Sequence, residues 1–261
     1  MKSFQFYDAK DIKEATKLSG SDSRYLSGGM TLVPSLKQRL ATPRRVIGLK
    51  KIKKLNGIKV SKKSVTIGAT TTHREVEFSK EIEKIIPALN VLAGGIGDAQ
   101  VRNCGTIGGS IANNDPAACY PSAVLGLNAT IHTSKGKIEG EKFFTGMFET
   151  KLKTGEMITS IEFKVPDKAG YAKFPNPASR YAIVGVFVAK FTNEVRVAIT
   201  GAESCVFRCK KLEDALSSNF SASSIDGVNI SSEGFNADVH ATAEYRANLI
   251  KVMAKKAVLS C

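Results

Sequence analysis

The sequence predicts a mixed helix-and-strand protein in two regions that meet near residues 166–170. Three observations carry this. Hydrophobic residues make up 43% of the 261 residues, enough to bury one large or two ordinary cores. Short apolar runs of strand length alternate with helix-period segments up to Pro166. From Gly170 onward, three strand-like runs follow one another before two helical segments.

In the first region, residues 8–19 read as a helix. Asp11 and Glu14 are placed as in a capping box, and Ile12, Ala15 and Leu18 share one face. Arg24-Tyr25-Leu26 is a short strand running into the turn Ser27-Gly28-Gly29-Met30-Thr31. Thr31 to Leu40 is helical, with Pro34 suited to its first turn. Val46 to Leu49 is a strand, and residues 55–60 and 64–68 form a hairpin through Ser61-Lys62-Lys63. Thr70-Thr71-Thr72-His73 leads into the next helix. His73 reads as a surface or capping residue, because no carboxylate or nucleophile signature accompanies it. Residues 80–94 are helical, broken near Pro87.

Gly94 to Pro116 is the densest stretch. Its glycines alternate with small and polar residues, yet Ile96, Val101, Ile107 and Ile111 set it apart from a flexible linker. It reads as ordered backbone laid against something. Residues 117–127 then form a short apolar helix, 129–140 a strand pair turning at Lys135-Gly136, and 157–165 a strand that ends at Pro166. In the second region the strands are 171–174, 181–191 and 194–202, the last two joined tightly through Thr192-Asn193. Helices follow at 208–218 and 241–257, with a Ser-, Asn- and Gly-rich loop over 219–238.

The bulk charge is strongly basic: 38 Lys and Arg against 24 Asp and Glu, a net charge of +14. The basic residues are dispersed, and no tryptophan or interleaved aromatics accompany the small lysine clusters. A lysine-rich solvated surface fits this better than a nucleic-acid interface. An acidic partner protein is a second use for the charge. Cys104, Cys119, Cys205, Cys209 and Cys261 form no CxxC pair, and neither zinc nor iron–sulfur spacing is visible. Their odd number and the lack of a signal-peptide pattern lead us to expect reduced thiols in the cytoplasm. No apolar run reaches membrane-spanning length.

Two glycine pairs organise the chain: Gly28-Gly29 and, in Thr106-Ile107-Gly108-Gly109-Ser110, Gly108-Gly109. Glycine lets backbone approach a ligand closely and aim consecutive N–H groups at it. The first pair lies in a strand-to-helix turn, where the helix N-terminus favours a phosphate. Both loops are therefore expected to close on the diphosphate of one nucleotide cofactor. Neither has Rossmann or Walker spacing. No nucleophile elbow or nucleophile–base pair is visible, so the cofactor rather than a side chain is expected to carry the chemistry.

Several stretches carry a resemblance to a known family. They are Leu26 to Leu32, Ile67-Gly68-Ala69-Thr70-Thr71, Gln100 to Gly109, Asp115-Pro116, Phe143 to Gly146, Glu156-Met157-Ile158, Tyr171-Ala172-Lys173 and Arg180-Tyr181-Ala182. In order and approximate spacing the chain resembles the FAD-binding medium subunit of the molybdenum hydroxylases. That family includes the medium chain of aerobic carbon monoxide dehydrogenase and the FAD subunit or domain of xanthine dehydrogenase. The string Arg102-Asn103-Cys104-Gly105-Thr106-Ile107-Gly108-Gly109 is the specific part.

The resemblance implies an α+β fold: a two-subdomain FAD-binding domain of the PCMH/vanillyl-alcohol-oxidase type over 1–168, divided near residue 55. A smaller α/β C-terminal domain of the CO dehydrogenase flavoprotein type would cover 169–261. It implies non-covalent FAD held by Leu26, Ser27, Gly28, Gly29, Met30, Thr31 and Leu32 and by Thr106, Ile107, Gly108, Gly109 and Ser110. Ile96, Ile158, Lys173 and Tyr181 would lie near the flavin, and Asp115 and Cys119 near the ribose. It further implies an electron-transfer subunit that works with a [2Fe-2S] small subunit and a molybdopterin large subunit, as a heterotrimer or its dimer. Electrons would leave to a quinone, NAD or oxygen. Nucleic acid and a membrane span are not expected. Where many members carry an acid beyond Asp-Pro, this chain has Cys119. Ser27 replaces a more usual alanine, and Gly48 a frequent aspartate. The iron–sulfur insertion of the benzoyl-CoA-reducing branch is absent. The alternatives are a stand-alone flavin oxidase, a basic nucleic-acid-binding protein and a flavin-less structural subunit.

Overall fold

Three sheets, met in chain order, organise the computed structural model, which describes residues 1–261. The first is small and parallel. It is built from β1 (Gln5–Asp8), α1 (Ile12–Leu18), β2 (Ser23–Leu26), α2 (Leu32–Lys37) and β3 (Arg45–Gly48), with β3 between β1 and β2. α1 starts at Ile12 rather than residue 8, with the expected cap in place: the Glu14 N–H donates to the Asp11 side chain at 2.8 Å. The Glu14 carboxylate reaches back one residue further than a simple capping box, accepting from the Lys10 N–H at 2.8 Å. Residue 8, read as helix, belongs to the strand before it, and α2 stops at Lys37 rather than Leu40. A small core of Ala9, Ala15, Ile47, Leu49, Ile52, Leu55 and Met157 sits beneath this layer.

The second layer runs from β4 (Ile58–Val60) and β5 (Ser64–Gly68) through α3 (His73–Glu77), α4 (Lys80–Ile85), α5 (Pro87–Gly94), α6 (Ala99–Cys104), α7 (Ile107–Asn113) and α8 (Tyr120–Gly126). The chain then returns as β6 (Thr130–Thr133), β7 (Gly136–Glu139), α9 (Gly140–Phe143), the β8–β9 hairpin (Phe144–Gly146, Glu149–Thr150) and β10 (Ile158–Lys164). Its sheet has the order β4-β5-β10-β6-β7, and all its pairings are antiparallel. The glycine-rich stretch folds as two short capped helices. Asp98 caps α6 by accepting the Val101 N–H, and Thr106 caps α7 by accepting the Gly109 N–H. Its isoleucines supply the reason: Ile107 and Ile111 are fully buried in the core of this layer.

The third layer is an antiparallel sheet of β11 (Lys168–Pro175), β12 (Ala182–Lys190), β13 (Val195–Thr200) and β14 (Phe207–Arg208). It is covered by α10 (Lys210–Ser218) and α11 (Ala243–Leu259), and a short 3-10 turn at Ala222–Ile225 interrupts the expected loop. β12 is buried on both faces, which explains its nearly continuous apolar sequence. Val184, Val186 and Val188 pack under α10 and α11. Phe187 and Ala189 point the other way and join the core of the second layer. Charged groups tie the same junction. Buried Arg196 donates to the Leu125 carbonyl at 2.8 Å and pairs with Glu141, which also pairs with Arg208 at 2.6 Å. The second and third layers therefore share one interior, with β11 packed against α5 and β12 against α8, the helices on either side of the glycine string.

Candidate functional site

The turn from β2 into α2 is an open cradle of amides. Gly29 takes φ 73°, the left-handed region that only glycine enters cheaply. The following N–H groups turn outward as a result. The backbone N–H groups of Gly28, Gly29, Met30, Thr31 and Leu32 donate to no acceptor in the chain. Successive amides around a left-handed residue form a concave nest for an anion.

The second glycine string behaves differently. The Ile107 N–H donates to Thr71 O at 3.1 Å, Gly108 N–H to Ala69 O at 2.9 Å and Gly109 N–H to Thr106 Oγ1 at 3.2 Å. The first amides of α7 are thus used inside the protein. The string lies against the first loop: Ser27 Oγ and Thr106 Oγ1 are 2.9 Å apart. Gly28 is where the two backbones touch, since a Cβ there would sit 2.0 Å from Cys104 O. The Ser27 hydroxyl is thus the side chain that joins the two loops.

These loops border a cleft of about 660 Å³ between the first layer and the second, with residues 179–181 of the third at its rim. That volume lies in the range of cofactor and ligand sites. Among the residues singled out from sequence, Ser27 to Leu32 line it along one side. Thr106, Gly108, Gly109 and Ser110 lie opposite, with Ile96, Ile158, Asp115, Cys119 and Tyr181 completing the wall. Leu26, Ile107 and Lys173 do not line it. Leu26 packs beside Gly29, and Ile107 is wholly in the core. Lys173 lies behind the wall, donating to the Gly95 and Arg180 carbonyls and, at 3.5 Å, to Cys119 Sγ. Asp115 is a turn former: its carboxylate accepts the Ala117 N–H at 2.9 Å just before α8. Burial raises its pKa, partly offset by that hydrogen bond. The Tyr181 phenol is also raised, first by burial and then by Asp115 and Cys119.

His73 corrects a sequence expectation. It is buried and lines the cleft rather than lying at the surface. Its ring stands 5.4 Å from that of Tyr120, and its backbone N–H donates to Gly105 O at 2.9 Å. Desolvation, reinforced by the Arg102 cation, lowers its pKa to about 4, so it is neutral at pH 7. Arg102 itself shapes the adjoining turn. It pairs with Glu77 at 2.8 Å and donates to the Ile96 and Gly97 carbonyls at 3.2 Å. Arg24, Thr70, Asn113 and Arg180 are further wall residues not singled out from sequence. Thr70 and Arg180 carried a local signal, in the stretches Ile67-Gly68-Ala69-Thr70-Thr71 and Arg180-Tyr181-Ala182. Arg180 faces the cleft because its backbone takes φ 61° and its guanidinium donates to Gly97 O at 3.3 Å.

A long cleft with an amide nest at one end and an apolar wall of Ile96, Leu152, Met157 and Ile158 is the site of a protein that binds an extended nucleotide cofactor. Residues 2–166 match the family model described as the FAD binding domain in molybdopterin dehydrogenase, and the chain belongs to that family. It is 33% identical to the glyceraldehyde dehydrogenase medium chain of Sulfolobus acidocaldarius, over 97% of this chain and 96% of that one. It is 30% identical to the nicotine 6-hydroxylase medium subunit of Paenarthrobacter nicotinovorans, over 95% and 93% of the two chains. Among solved structures it superposes on reconstituted CO dehydrogenase from Oligotropha carboxidovorans with a TM-score of 0.91 and 27% identity. That superposition covers 99% of this chain and 97% of the other. The residues present fit FAD: the nest suits a diphosphate, and the glycine at 109 leaves the opposite wall open.

Proposed function

We propose that this chain is the FAD-binding electron-transfer subunit of a molybdenum hydroxylase. The observation that carries the reading is the run of unpaired amides from Gly28 to Leu32, set within the residues that match the FAD-binding family. Those amides hold the diphosphate, and Gly109 and Ser110 close on it from the other side. Ile96, Ile158 and Tyr181 enclose the flavin end and keep water from it. Bound FAD supplies the redox chemistry, exchanging electrons singly with one partner and in pairs with another. The chain's own residues bind, orient and desolvate; neutral His73 adds no charge to the wall. The FAD is held non-covalently.

The relatives named as medium chains and subunits support an assembly of several chains. The partners in this reading are a small subunit with [2Fe-2S] clusters, which delivers electrons, and a large subunit with molybdopterin, which oxidises the substrate. The assembly is a heterotrimer or its dimer. No helix is long and apolar enough to cross a membrane, and the reading places the complex in the cytoplasm. The test is the visible absorption spectrum of the purified chain, with the cofactor identified after acid release. A flavin spectrum with released FAD is expected. A colourless protein that takes up no added FAD would overturn the reading.

A further inference from the structure

The net charge is concentrated in the first layer. Residues 1–55 hold thirteen Lys and Arg against four Asp and Glu, a balance of +9, while residues 56–261 hold 25 against 20. Only two of the thirteen cations meet a carboxylate: Arg45 pairs with Asp22 at 2.6 Å and Lys51 with Asp8 at 2.8 Å. Solubility calls for both signs interspersed, not for one sign gathered in one layer. This layer also carries Ser27 to Leu32 along the cleft. A field of one sign beside a cleft steers partners of the other sign toward it.

A second observation comes from the turn that ends α2. The Arg39 N–H donates to Leu36 O at 3.2 Å and the Leu40 N–H to Ser35 O at 2.9 Å, the paired bonds of a Schellman turn. Such a turn needs one left-handed residue, most often glycine. Here that residue is Arg39, at φ 63°. The residue after it commonly packs back on the helix, yet Leu40 is 78% exposed. The fold thus holds a cation in a strained backbone and a bare leucine beside it, and no contact within the chain offsets either. Lys37 and Arg44 flank the turn, both exposed and without a carboxylate partner. Ala41, the residue after Leu40, lines the cleft.

We propose that this turn, with the basic layer around it, is the docking face for an acidic redox protein that associates reversibly beside the cleft. Leu40 enters an apolar notch on that partner, and Lys37, Arg39 and Arg44 meet carboxylates around the notch. An apolar centre within a polar rim is the anatomy of a protein–protein contact. Nine of the thirteen cations in the layer are lysines, which stable interfaces exclude and which act instead through the field that guides an encounter. Redox encounters are small and charge-guided in this way. A bilayer would call for a broad apolar face, and a nucleic acid for cations without an apolar anchor. That the partner is a redox protein rests on the cofactor reading above; its acidity and its reversible docking do not.

Binding of oxidised plastocyanin, a small acidic one-electron carrier, to the full-length chain is measured by calorimetry, with basic cytochrome c as the control. The chain is expected to bind plastocyanin at least about tenfold more tightly than cytochrome c, and to lose about tenfold in affinity at about 1 M salt. Leu40→Ser and Arg39→Glu should each weaken binding about tenfold. Lys256→Glu makes the same charge change on the exposed surface of α11 and should alter binding by less than about twofold. Arg39→Gly separates docking from packing. It relieves the left-handed strain, so the thermal midpoint of the chain should hold or rise while plastocyanin binding weakens about threefold. The proposal is overturned if plastocyanin binds no more tightly than cytochrome c, or if Leu40→Ser and Arg39→Glu bind it like the parent. Preference for duplex DNA, or for vesicles of phosphatidylglycerol and phosphatidylcholine in equal parts, overturns it as well. Plastocyanin binding by a chain that takes up no FAD would uphold the docking face and count against the cofactor reading alone.

Discussion

The two glycine loops look alike in sequence and do opposite work. Gly28-Gly29 leaves a run of amides without protein acceptors, whereas the amides that begin α7 are consumed by Thr71, Ala69 and Thr106. Within each pair the glycines also differ. Gly28 and Gly108 let backbones touch: their absent Cβ atoms would lie 2.0 Å from Cys104 O and 2.6 Å from Ala69 O. Gly29 is needed for its positive φ, and Gly109 meets only the Thr106 hydroxyl and faces the cleft. In the proposed reading one loop grips the diphosphate and the other provides a floor, with Ser27 and Thr106 as the seam. A glycine-rich string near a nucleotide site is thus no proof that its own amides bind the phosphate. Glycine serves close packing as readily as ligand approach.

The largest effect is expected from breaking the seam itself. Gly28→Val drives a side chain into the Cys104 carbonyl, which belongs to backbone and has nowhere to move. We expect a loss of about 3 kcal/mol or more in the stability of the cofactor-free chain. Urea unfolding checks this, and a variant as stable as the parent would mean that the loops are not packed as described.

Acid should loosen the floor next. His73 supports Gly105, whose absent Cβ would lie 2.7 Å from His73 Nε2. Its pKa falls from 6.5 to about 4 on folding, so the unfolded chain binds the extra proton between these values. Stability from this group is therefore complete above about pH 6.5 and is lost as pH falls toward 4, amounting to about 3 kcal/mol at most. Urea unfolding at pH 7 and pH 5 should show the loss in the parent and a flatter response in His73→Phe. Equal pH dependence in the two would remove His73 as the cause.

Gly109→Val sharpens the contrast most directly, with the smallest change in stability. Its side chain meets one hydroxyl and otherwise enters the cleft. FAD retention should fall about tenfold, roughly 1.4 kcal/mol, while the thermal midpoint of the cofactor-free chain hardly moves. A parallel collapse of stability and retention would make Gly109 a packing glycine like Gly108.

Much of this molecule was legible in the chain because local rules decide it. The Asp11 cap, the break at Pro87 and the hairpin before Gly68 follow from side chains acting on nearby backbone, whereas the capped helices α6 and α7 stood in a stretch read only as ordered glycine-rich loop. β12 declared itself by an unbroken apolar run, and the string from Arg102 to Gly109 marked the region of the cleft. Short β1 and the β8–β9 hairpin were missed, having too few residues to show a period.

What tertiary structure alone decided is what stands opposite each residue. His73 lies in a polar run that reads as surface. It is buried because Tyr120 and Gly105 close over it and Arg102 lies near. Lys173 reads as a cofactor contact, yet it turns toward a sulfur 54 positions away in sequence. The four loop glycines are chemically identical, and only what stands across from them, Cys104, Val33, Ala69 and Thr106 in turn, divides packing from binding. The sequence by itself determined which backbone conformations were allowed at these loops. Which amides were left free was set by long-range contacts, because a hydrogen-bond donor is spent or kept according to the acceptor the fold brings to it.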